Sequence, residues 1–176
     1  MAVTVIETVG SPSANSFVSV AEADAYLEAR LNSSAWTGDT NKKIAVIEAT
    51  RELNRLAWRG ERATSTQALA WPRLYAEKID AAPGETWYSE AEIPTPVKEA
   101  TIELALEFLR MGTVDLAARS ATDGVIMKKT GPITTMWASP SELVEGLRRF
   151  PRVWERIGPL LGGSAASSIQ FAVQRG

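Results

Sequence analysis

The chain has 176 residues, 45% of them hydrophobic and 23% charged, with a net charge of −2 and a pI near 5.4. That is the size and balance of one globular domain with short arms, without the basic excess of a protein that neutralises many phosphates. Cys and His are both absent, which excludes disulfides, thiolate nucleophiles, the usual zinc sites and every Ser-His or Cys-His device.

Residues 2–9, AVTVIETV, are β-branched and partly alternating, and predict a strand or extended arm. They lack a basic start followed by a long apolar segment, so no secretory signal is expected, and no apolar run is long enough to span a membrane. A turn cluster, GSPSANS, follows. Ser19 and Glu22 have capping-box spacing and open a first helix that runs to about Leu31. A loop carrying Trp36 leads to Asp39 or Thr40, the expected cap of a second helix, about Asn41 to Trp58. Val46, Ala49, Leu53, Leu56 and Ala57 form its apolar stripe, and Gly60 is its expected end.

Residues 61–93 are irregular, broken by Pro72, Pro83 and Gly84, with STQALAW at 65–71 as a short helical turn. A connection longer than about 15 residues is uncommon unless it has a function. Thr95 then caps a third helix with Pro96 at its first position, running to Met111. Val97, Thr101, Leu104, Phe108 and Met111 line one face, and Ile102, Ala105, Leu106 and Leu109 widen it, so this helix is expected to be central.

Residues 124–137 carry two β-favouring runs around Lys128-Lys129-Thr130-Gly131 and predict a hairpin. Pro151 opens a short last helix with Val153, Trp154 and Ile157, ending near Leu161. GGSAASS has linker composition, and IQFAVQRG alternates Ile169, Phe171 and Val173, a strand-like tail that wants a partner surface or else frays. The expected fold is mainly α: a small bundle of about four helices with a long loop, a small β-hairpin and extended N- and C-terminal arms. The corresponding division is an arm at 1–18, a helical domain at 19–163 and an interaction tail at 164–176.

Charge falls in alternating blocks: −4 over 1–41, +4 over 42–78, −6 over 79–116 and +4 over 117–176. Within them Arg51, Arg55 and Arg59 recur at i+4 on the second helix, and Glu99, Glu103 and Glu107 do so on the third. Like charges at that spacing repel by about 0.2–0.5 kcal/mol per pair. Two opposite ridges suggest complementarity, within one chain or between copies, and with Arg73 they form the candidate subunit interface; the alternative is two solvated faces.

No phosphate loop, His-Glu zinc helix or calcium loop occurs, so neither an enzyme nor a cofactor is expected. Six Trp remain to be explained. Trp58, Arg59, Arg62, Trp71 and Arg73 lie in one positive block, and aromatic platforms beside cations are what single-strand binders use. Trp58 and Trp71 also sit in apolar contexts, which favours reading Trp58, Trp71 and Pro72 as anchors of the long loop, with Arg73 left at a surface or subunit contact.

ANSFVSVAEADAYLEAR at 14–30, RLAWRGERATSTQALAWPR at 55–73 and IPTPVKEATIELALEFL at 93–109 resemble, in order, a tailed-bacteriophage family of head-tail connectors or adaptors. Its members are often labelled DnaT-like single-stranded DNA-binding proteins. The resemblance covers residues 10–115 well and 116–176 only in general plan. It implies a structural protein of the virion neck, made in the host cytoplasm and assembled as a ring of twelve copies. Its partners would be the portal and a stopper or tail-completion protein, with packaged DNA in the lumen, unread in sequence, and no membrane. Ile169, Phe171 and Val173 would then reach the portal or a neighbouring copy. The alternative is a single-stranded DNA-binding protein of phage replication; a cellular helical interaction module is a weaker third reading.

Overall fold

A computed structural model describes residues 3–78, 81–112 and 146–162, together with the backbone of 125–129 and 134–137. The fold is mainly α. Four α-helices lie among the described residues: α1 (Val20–Glu28), α2 (Asp39–Asn54), α3 (Thr95–Met111) and α4 (Pro151–Ile157). Two small antiparallel ladders accompany them, β1 (Glu61–Arg62) with β2 (Arg73–Leu74) and the hairpin β3 (Val125–Lys129) with β4 (Thr134–Trp137). Lys129 pairs with Thr134, and a register shift falls between Val125 and Met127.

α1 starts on the expected capping box. The Glu22 amide donates to Ser19 Oγ at 3.1 Å, and the Ser19 amide donates to Glu22 Oε2 at 2.9 Å. It ends at Glu28, short of Leu31, whose side chain is 85% exposed and gains nothing from a further turn.

α3 is the central helix and packs against α2 and α4. Val97, Ala100, Ile102, Leu104, Ala105, Leu106 and Phe108 are all buried, so most of its girth is covered. Pro94, not Thr95, is its N-cap, because the Pro94 carbonyl already accepts from the Val97 amide at 2.9 Å. Gly112 closes it at φ +66°, its amide bonding Phe108 O, the left-handed close that glycine tolerates. α4 opens on Pro151 and tightens into a 3₁₀ turn, Gly158–Leu160.

The main departure from expectation is the end of α2. The helix stops at Asn54, although the apolar spacing continues to Ala57. Trp58 turns beneath the bundle and donates its indole N–H to Leu53 O at 3.0 Å. Residues 57–59 then pair with the chain's far end: Arg59 N bonds Leu160 O at 2.9 Å, and Gly162 N bonds Ala57 O at 2.7 Å. Long-range pairing therefore replaces the last helical turn, and Arg59 lies off the helix that carries Arg51. Gly60 serves a different turn from the expected one. It holds φ +74°, and a Cβ there would sit 2.2 Å from Leu74 O. Gly60→Ala is expected to cost about 1–3 kcal/mol from strain at a positive φ, checked by thermal denaturation; an unchanged transition would contradict this packing.

Residues 3–8 join no ladder. Asn15 organises them instead, its Oδ1 accepting from Ile6 N at 2.7 Å and its Nδ2 donating to Thr4 O at 2.9 Å. Beyond them, Ala14, Phe17 and Val18 enter the hydrophobic core, and the Phe17 amide donates to Thr50 Oγ1 at 3.1 Å. The stretch 65–71 is not helical, because the buried Gln67 side chain bonds the Leu69 and Pro72 carbonyls and receives the Thr64 amide. The tail residues Ile169, Phe171 and Val173 lie outside the described residues.

Candidate nucleic-acid interface

The long loop is an ordered knot built around Trp71. That side chain is 1% exposed and sits edge-to-face against Trp58 at 5.6 Å and Tyr88 at 6.0 Å between ring centroids. The Trp71–Pro72 peptide is cis, and Pro72 is buried. Arg73 is partly buried and anchored within the chain. Its guanidinium donates to the carbonyls of Arg59 (2.7 Å), Ala70 (3.0 Å), Trp58 (3.3 Å) and Gly60, so one side chain gathers both limbs of the loop. Burial, and secondarily the nearby Arg62 charge, lowers its pKa. A base cannot stack on Trp58 or Trp71, because their rings face protein.

The outer side of the same knot is different. Residues 76–78 run antiparallel to 86–88 through a Glu77–Trp87 bridge, with Lys78 N bonding Thr86 O at 2.8 Å and Tyr88 N bonding Ala76 O at 2.9 Å. Alternation about the bridge turns Ala76 and Tyr88 inward and leaves Glu77 and Trp87 on the outer face, while Tyr75, at a left-handed φ of +56°, comes onto that face outside the strand alternation. Tyr75 is 65% exposed and Trp87 is 52% exposed, and their rings meet edge-to-face at 6.2 Å. Arg59 borders them, its Nη1 3.6 Å from Glu77 Oε2 and its Nε donating to Leu161 O at 3.0 Å. Arg62 is exposed on β1, opposite Arg73, and Lys78 pairs with Glu85.

Trp58, Trp71 and Arg73 thus support this face from behind. Tyr75 and Trp87, the exposed large aromatics among the described residues, carried no earlier assignment. Their signal was weak: the Trp87-Tyr88 pair sits in a polar, proline-broken segment, and its in-out alternation is visible only once residue 77 is known to be its neighbour.

The two charged ridges are each satisfied within the chain. Arg51 pairs with Glu48, Arg55 with Glu52 at 3.1 Å, and Arg59 with Glu77. Glu99 accepts from Arg156 Nε at 2.8 Å, and Glu107 pairs with Arg110. Glu103 is 1% exposed and accepts from Tyr26 Oη at 2.8 Å and Arg30 Nη2 at 2.7 Å. Arg156 also donates to Tyr26 Oη, and burial, reinforced by Glu103, pushes the Tyr26 hydroxyl up to about 12. The ridge pattern therefore does not by itself call for a second copy.

Among the described residues no cluster of acidic side chains could hold a metal ion, and no helix is long and apolar enough to cross a membrane. The chemistry available on the outer face is π-stacking beside one held cation, Arg59.

No curated protein and no solved structure matches the chain. A family model matches all of residues 1–176, and its description is "Putative DnaT-like ssDNA binding protein". That match corrects the head-tail connector identification, and with it the adaptor role and its place in the virion neck. The connector reading took the ridges and tail as surfaces awaiting sister molecules, whereas each ridge charge has a partner within its own chain, three at i,i+3 spacing and three on distant segments. Matched along its whole length, the chain belongs to the DnaT-like single-stranded-DNA-binding protein family.

Proposed function

We propose that this protein binds single-stranded DNA on the outer face of the loop knot, with Tyr75 and Trp87 stacking bases and Arg59 meeting a phosphate. The observation that carries this reading is the half-exposed aromatic pair, held outward on a loop whose other side is locked into the core. Aromatic rings with open faces are costly to leave in water and accept any base. Such stacking is worth about 1–3 kcal/mol per base and is tolerant of sequence. Family membership supports the same reading.

A net charge of −2 is compatible with it, because stacking then supplies most of the affinity. With Arg59 as the cation on the face, the salt dependence should be shallow, with a log–log slope of about −0.7 for the one phosphate it meets. The test is a titration of fluorescently labelled oligothymidylate followed by anisotropy. Trp87→Ala is expected to weaken binding about tenfold or more, with the thermal transition unmoved because the side chain is half in solvent. Binding by the variant equal to the parent's would remove the proposal.

A further inference from the structure

We propose that Glu77 is an internal phosphate mimic: it occupies Arg59 in the free protein and must be displaced when a nucleic-acid phosphate arrives. The proposal rests on the single-strand reading above and concerns what limits affinity at that face.

Three observations converge. Glu77 is bridged to Trp87 through the backbone, so its carboxylate rises on the same face as both exposed rings. A strand stacked on Trp87 and reaching Arg59 must carry a phosphate past that carboxylate. Arg59 is already aimed, with Nε fixed on Leu161 O at 3.0 Å and Nη1 turned to Glu77. Finally, the Arg59–Glu77 separation is 3.6 Å, beyond a good hydrogen bond, with side chains 44% and 64% exposed. The pair is held in place but weakly, and an incoming phosphate can replace one anion by another without moving the guanidinium. Arg51–Glu48 and Arg55–Glu52 differ, since each pair belongs to one helix surface at i,i+3 spacing. Arg59–Glu77 joins two segments distant in sequence, across the aromatic face.

Anisotropy titrations with oligothymidylate on the full chain test this. Glu77→Gln, and Glu77→Ala as a second variant, should bind about three- to tenfold more tightly at low salt and show a steeper salt dependence, since Arg59 then presents an uncompensated charge. The backbone bridge does not need the carboxylate, so the fold should be retained. Arg59→Gln should weaken binding, and adding Glu77→Gln to it should restore less than half of the gain seen in the parent. If the parent binds and both Glu77 variants bind no tighter, the proposal is overturned. A gain undiminished without Arg59 also overturns it, because Glu77 would then act only as a general repulsive charge. Absence of binding by parent and variants alike overturns the single-strand reading, and the proposal with it.

Discussion

Trp71→Ala is expected to destabilise the protein by about 3–5 kcal/mol, the range for truncating a buried aromatic. Typical domains have only about 5–15 kcal/mol in total. The loss is concentrated because Trp71 is the middle ring of three, with Trp58 on one edge and Tyr88 on the other. Those neighbours lie on either side of Trp71 in sequence, so the cavity would separate two segments that meet across its ring. The Trp71 indole nitrogen is buried without a hydrogen-bond partner. Trp71→Phe should therefore be much milder, since it removes volume but no satisfied donor. Urea denaturation of the two variants separates these effects, and equal losses would mean that ring volume is not what the site requires. A fall in DNA binding by Trp71→Ala would report unfolding rather than a lost base platform.

Glu103→Gln is the second large effect. The carboxylate is all but fully buried on α3, facing Arg30, whose side chain is 15% exposed. Removing one charge leaves the other without its counter-ion, a loss of about 3–5 kcal/mol in buried pairs. Arg30 is poorly placed to compensate, because its Nε is already buried without a partner. Arg30→Met combined with Glu103→Leu should recover much of the loss, since replacing a whole buried pair by apolar groups is often neutral. Thermal denaturation of the single and double variants checks both statements. The same cluster sets an alkaline limit. With its folded pKa raised to about 12, Tyr26 binds its proton more tightly in the folded than in the unfolded chain, whose ordinary value is about 10. Its contribution is therefore complete below pH about 10 and is lost as pH rises through about 12.

Local rules carried most of the helices. Ser19 and Glu22 announced α1, Pro151 announced α4, and the widened apolar face of Thr95–Met111 marked α3 as central. What escaped depends on contacts between residues far apart in sequence. The early end of α2 follows from residues 57–59 pairing with 160–162, which no periodicity in either segment reveals. The ridge Glu99, Glu103, Glu107 read as one face, yet the buried member differs from the others because Tyr26 and Arg30 of another part of the chain reach it. The candidate site was half legible. The positive block and its tryptophans drew attention to the loop on which the proposed face lies, but Trp58 and Trp71 are its inner supports, while Tyr75 and Trp87 are its outer face. Net charge argues against a binder that relies on phosphate neutralisation, but an aromatic platform of the kind proposed needs few cations.

Photo-crosslinking of the intact protein to a bromouracil-substituted single strand, followed by peptide mapping, tests the nucleic-acid face most directly. The expected adducts fall on Tyr75 and Trp87, in peptides that flank the Trp71 knot. Efficient crosslinking confined to α1, α2 or α4, with residues 75–88 unmodified, would contradict it.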